Sequence, residues 1–88
     1  MGVEVHLRVA RAAAFGVEPE VGDLPPHVSR AVREVSGLLS WSGGVCPLCS
    51  RRFSTRRGYY MHLVMSHEGD ISSLVDRIAE RVAGGRRF

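Results

Sequence analysis

The chain has 88 residues, 44% of them hydrophobic, and carries 12 basic against 9 acidic side chains for a net charge of +3. A chain of this size forms one domain, or one with a short extension, and buries only about 60–65% of its unfolded surface, so its stability is marginal without help. No apolar run reaches the roughly 18 residues of a membrane-spanning helix, and Met1–Ala10 lacks the basic start and apolar run of a secretory leader; the expectation is an intracellular protein of the cytoplasm and nucleoid, or nucleus, with no membrane partner.

Taken in order, Val3, Val5, Leu7 and Val9 alternate with Glu4, His6 and Arg8, the period of a half-buried β-strand. A lone strand needs a partner: a hairpin later in the chain, a second copy, or another protein. His6 falls on its polar face and reads as a solvated histidine. Gly16–Pro26 is a loop punctuated by Pro19, Gly22, Pro25 and Pro26. From His27 the period becomes helical, with Val28, Ala31, Val32, Val35, Leu38 and Leu39 on one side. Pro25-Pro26 suit the entry to that helix. Trp41, the single tryptophan, is expected to plug the core between this helix and the cysteine-bearing segment after it.

The centre of the chain is Cys46-Pro47-Leu48-Cys49 and His62-Leu63-Val64-Met65-Ser66-His67. Two residues separate the cysteines, twelve separate Cys49 from His62, and four separate the histidines. That is the spacing of a zinc site, C-x2-C, x12, H-x4-H. A Cys-x-x-Cys turn presents two sulfurs to one ion, and histidines five apart on a helix lie near one face. Thiolate plus imidazole suits tetrahedral Zn2+, so Cys46, Cys49, His62 and His67 are the expected ligands of one structural zinc ion. Both cysteines are then used, leaving none for a disulfide, which fits a reducing compartment.

Over about Val45–His67 the chain resembles the C2H2 zinc-finger family. Phe53, four residues after Cys49, matches a core position of that family; Tyr59, three before His62, departs from its usual Leu, and Gly44 stands where an aromatic is frequent. The resemblance implies a ββα fold: a knuckle, a short second strand through Phe53, and a helix from about Ser54 or Thr55 to His67. It also implies a helix that enters the DNA major groove and reads bases from three positions, here Thr55, Gly58 and Met61, with Arg57 beside them. That set reads bases poorly, since glycine has no side chain and methionine offers only apolar contact.

Charge is unevenly spread. Residues 1–45 hold four arginines and five acids, residues 46–67 four arginines and no acid, and residues 68–88 four of each. All the basic residues are arginine, the side chain suited to bidentate phosphate contacts. Arg51, Arg52, Arg56 and Arg57 are therefore expected to grip a nucleic-acid backbone, with Thr55 alongside and Tyr60 stacking on an unpaired base. Arg56 and Arg57 oppose the dipole of the helix they begin, which points to a partner that offsets the cost. DNA and RNA, as transcriptional or ribosome-associated roles, both remain open. Tyr60, Met61 and Val64 make the same helix apolar on the side away from the zinc, so it should be covered there by the flanking helices or by a partner. The alternative function is a protein-interaction or dimerisation module through Tyr60, Met61, Val64 and the Val3–Val9 strand, with zinc purely structural. An enzyme is not expected, because a four-ligand site has no open position for water and His6 and His27 lack a catalytic constellation.

The chain ends in an amphipathic helix, with Asp70 as its expected N-cap and Ile71, Leu74, Val75, Ile78 and Val82 as its apolar stripe, followed by Gly84-Gly85 and a basic tail, Arg86-Arg87-Phe88. The expected whole is a small α+β protein: residues 1–44 as a strand, loop and helix packing on the finger, 45–68 as the finger, and 69–88 as the C-terminal helix and tail.

Overall fold

A computed structural model of the protein describes residues 5–41 and 44–84. Val3, Ser42, Gly43, Gly85 and the Arg86-Arg87-Phe88 tail lie outside the described residues. Among the described residues four helices form: α1 (Val5–Phe15), α2 (Pro26–Leu38), α3 (Arg56–Ser66) and α4 (Glu68–Gly84). No strand or sheet occurs among the described residues, and the expected ββα and α+β folds are both corrected to an all-helical one. In place of the expected hairpin the described residues form an antiparallel bridge between Val45 and Arg52.

The N-terminal segment is the clearest correction. The alternation of Val5, Leu7 and Val9 mimics a strand, but the chain from Val5 winds into α1. Ala10, Ala12, Ala13 and Ala14 explain why, since alanine has the highest intrinsic helix propensity. At helical spacing His6, Val9, Ala10 and Ala13 fall on one side, and all are buried. His6 is thus a buried residue rather than a solvated one, 3.9 Å from Glu68. The helix ends at Gly16, whose φ of +68° is left-handed and whose N–H donates to the Ala12 carbonyl at 2.9 Å.

α2 and α4 follow their periodic patterns, except that Leu38, expected on the apolar side of α2, is 63% exposed. α2 enters through Pro25 and Pro26 and buries Ala31, Val32 and Val35, with Leu39 just beyond its end. α4 buries Ile71, Val75 and Ala79, with Leu74 and Ile78 partly covered. It starts three residues earlier than expected, at Glu68, so Asp70 lies inside its first turn rather than capping it. α4 packs mainly on α2, and α1 packs on α3 and α2. One hydrophobic cluster draws on all four helices and includes Cys46. Its largest fully buried side chains are Tyr59, Leu39, Leu63 and Ile71.

Polar staples tie the irregular segments to this core. Arg8, 7% exposed, reaches from α1 into the following loop, donating to the Asp23 carboxylate at 2.6 and 2.9 Å and to the Glu20 carbonyl at 3.0 Å. The buried Tyr59 hydroxyl donates to the Leu39 carbonyl, and the Trp41 N–H donates to the Ala13 carbonyl at 2.9 Å. The Trp41 ring, expected to plug the core, packs 5.5 Å from the Tyr59 ring.

The Arg8 guanidinium, chiefly through its hydrogen bonds, holds the Asp23 carboxyl below the usual carboxylate range. A depressed folded-state value means a contribution that is complete above the unfolded-state value and lost as pH falls through the folded one. Asp23→Asn should therefore melt below the wild type at neutral pH. The gap should narrow in acid, as Asp23 takes up its proton; thermal melts of the two chains across pH check this.

Candidate metal centre

Cys46 and Cys49 sit on a turn stitched by two backbone bonds: Cys46 N–H to the Arg51 carbonyl at 2.8 Å, and Ser50 N–H to the Cys46 carbonyl at 2.7 Å. Ser50 takes a φ of +65°, the left-handed conformation that closes the knuckle. The knuckle is anchored at Gly44, whose carbonyl accepts from the Phe53 N–H at 2.6 Å. Gly44 has a φ of +73°, and a Cβ there would lie 2.5 Å from the Phe53 carbonyl oxygen, so only glycine fits. The residue that replaces the finger family's aromatic thus has a steric reason of its own.

His62 and His67 come from α3. Thr55 caps that helix, its Oγ1 accepting from the Gly58 N–H at 3.0 Å. Tyr59 and Leu63 are buried on the core side. His62 lies in the last turns of α3 and His67 is its C-cap. The Phe53 ring sits 4.6 Å from the His62 ring and 5.9 Å from the Tyr59 ring, so Phe53 does fill the space between knuckle and helix.

The four donor atoms converge. Those of Cys46, Cys49, His62 and His67 all lie within 4.8 Å of one another, close enough to bind a metal ion. Cys49 Sγ is 3.3 Å from His62 Nε2, and the two Nε2 atoms are 3.1 Å apart. The His62 and His67 rings meet edge to face at 84°. Cys46 is fully buried and His67 nearly so, while Cys49 is exposed and His62 half-buried. Cys49, Arg51, His62, Ser66 and His67 line a shallow open depression at this point.

Each donor feels its surroundings. Burial pushes the Cys46 thiol up. The side-chain hydrogen bond with His67 holds the Cys49 thiol below its ordinary value. Burial, with His67 and Arg51 nearby, holds His62 down. Burial also depresses His67, but its bonds to Asp70 and Cys49 outweigh that and raise it. Burial, with a lesser effect of charge on the two cysteines, pushes the Tyr59 hydroxyl up to about 12, so it stays a neutral donor.

The arginines expected on nucleic acid divide. Arg51, Arg52 and Arg57 are exposed. Arg56, also at the surface, is engaged: it donates to the Ala14 carbonyl at 3.0 Å and lies 5.8 Å over the Trp41 ring. The partner that offsets its unfavourable place at the start of α3 is the carbonyl end of α1. Tyr60 is half-buried with its ring 5.6 Å from Phe15, and Val64 is also packed on the core, so α1 covers much of the apolar side of α3. Met61 and Met65 remain exposed.

Asp70, expected as a helix cap, instead contacts one of the four converging side chains: Asp70 Oδ2 is 2.8 Å from His67 Nδ1. The signal was present as an acid three residues after the second histidine. No helix among the described residues is long and apolar enough to cross a membrane. No protein-family model, curated protein or solved structure matches the chain.

If the four donors hold the domain together through a metal ion, Cys49→Ala or His62→Ala should abolish the cooperative thermal transition rather than merely weaken binding. Circular dichroism melts of metal-loaded protein check this. A variant with full helical signal and unchanged melting contradicts it.

Proposed function

We propose that the chain is a zinc-stapled helical domain that binds nucleic acid through phosphate contacts from its metal knuckle and the start of α3. Two sulfurs and two imidazole nitrogens at one point suit Zn2+ in tetrahedral coordination. Four protein ligands leave no coordination position for water, so the metal is structural rather than catalytic. Structural zinc in small domains contributes on the order of 10 kcal/mol of binding free energy coupled to folding.

The observation that carries the nucleic-acid reading is the cluster of exposed Arg51, Arg52 and Arg57 in a segment, residues 46–67, that has no acid. None of the three forms a salt bridge with a carboxylate among the described residues. Such arginines recognise phosphate without reading sequence. The reading is narrower than the sequence suggested. Arg56 is held by α1, Thr55 caps α3, and Tyr60 packs against Phe15, so these three have structural tasks. A second reading, docking of a protein, draws on Met61 and Met65, 45% and 76% exposed one helical turn apart on α3.

Fluorescence anisotropy with labelled duplex DNA, single-stranded RNA and structured RNA at several salt concentrations tests this. Arg51→Ala, Arg52→Ala and Arg57→Ala together should reduce the slope of log affinity against log salt by roughly 2–3. Arg56→Ala should instead lower the melting temperature, since it detaches α3 from α1. No binding of the wild type at low salt contradicts the reading and turns attention to the methionine face.

A further inference from the structure

The structure assigns Asp70 as a positioning residue of the metal centre, holding the His67 ring so that its Nε2 faces the ion and tying the start of α4 to the metal. This rests on the reading of Cys46, Cys49, His62 and His67 as a zinc site.

The geometry is specific. His67 closes α3 and α4 begins at Glu68, so Asp70 stands one turn further on, above the histidine ring. Its Oδ2 lies 2.8 Å from His67 Nδ1, while His67 Nε2 lies 3.1 Å from His62 Nε2, on the ligand side. One ring nitrogen is thus directed at the carboxylate and the other at the ion. A proton on Nδ1, donated to Asp70, leaves the Nε2 lone pair free to ligate, and the carboxylate charge makes that nitrogen a stronger donor. His67 is 8% exposed, so its ring has little access to water as a substitute partner. The Asp70 side chain is 61% exposed and keeps its hydration on the outer side.

The link runs onward into the fold. The Ile71 N–H donates to the His67 carbonyl at 2.9 Å, so the residue that ligates also begins the hydrogen-bonding of α4. Ile71 is fully buried, and α4 packs along α2. Metal, His67, Asp70 and the first turn of α4 form one connected unit.

Zinc affinity of the full chain, measured by competition with a chromophoric chelator, is compared among wild type, Asp70→Ala, Asp70→Asn and Glu68→Gln. Glu68 shares the first turn of α4 and its helix-dipole effect, but it approaches His6, not His67. Asp70→Ala should weaken zinc roughly 10–100-fold. Asp70→Asn should weaken it less, because its amide oxygen still accepts from Nδ1–H without the charge. Glu68→Gln should stay within about fivefold of the wild type. In 1H–15N spectra of the zinc-loaded wild type, the His67 Nδ1–H proton should be visible and slow to exchange, and it should be lost in Asp70→Ala. If Asp70→Ala does not fold with zinc, the shift of that signal in Asp70→Asn carries the comparison. Asp70 variants that bind zinc like the wild type, or that lose no more than Glu68→Gln with the Nδ1–H signal unaltered, overturn the role of Asp70 and leave the zinc site standing. A wild-type chain that takes up no zinc overturns both.

Discussion

Four side chains from two separate segments must meet at one point, and the rest of the structure serves that meeting. Cys46 and Cys49 arrive on a knuckle with little regular structure; His62 and His67 arrive on a helix. The knuckle has one β-bridge and a few backbone bonds to hold its shape. That is too little for a stable hairpin alone, which needs further strands or a packed face. Here Phe53 and the four donors supply that face. Cys46 belongs at once to the four converging donors and to the hydrophobic cluster, so the candidate metal centre and the core are continuous.

Of the four helices around this centre, α1 is short of large apolar side chains. α1 contributes mostly alanines to the core. Small side chains let helices approach closely but remove little area from water each. The fold compensates by linking segments through single polar contacts at low sequence cost. Arg8 holds the loop before α2, Tyr59 holds the end of α2, and Arg56 joins α3 to the end of α1. Each satisfies a carboxylate or a carbonyl that would otherwise face a loop or a helix end unpaired. An arginine-rich chain therefore does not present all its arginines to a partner. Exposure and local pairing separate Arg51, Arg52 and Arg57 from Arg8 and Arg56.

The convergence of Cys46, Cys49, His62 and His67 was legible in the sequence because a metal-binding set imprints itself as residue type and spacing. α2 and α4 were legible because each buries one stripe at helical period. α1 was not: it is covered on several sides, so the usual polar face is missing, and a short Val–Leu–Val alternation fits a strand equally well. The polar residues inside it, His6 and Arg8, find their partners at Glu68 and Asp23, far along the chain, where periodicity carries no information. The same limit hid Arg56, whose acceptor at Ala14 is set only by the docking of α3 on α1. The finger resemblance pointed to four donors that do converge and to a helix that Thr55 caps, but its ββα fold is not the one formed. A knuckle supported by four helices does not require the second strand that a free-standing finger uses.

The central claim is that one zinc ion joins the knuckle to α3 through two thiolates and two imidazoles. Zinc K-edge X-ray absorption on the purified protein measures this directly. The account predicts one zinc per chain with two sulfurs at about 2.3 Å and two nitrogens at about 2.0–2.1 Å. A chain purified without zinc that does not take it up, or a first shell containing water oxygen in place of either histidine, would contradict it.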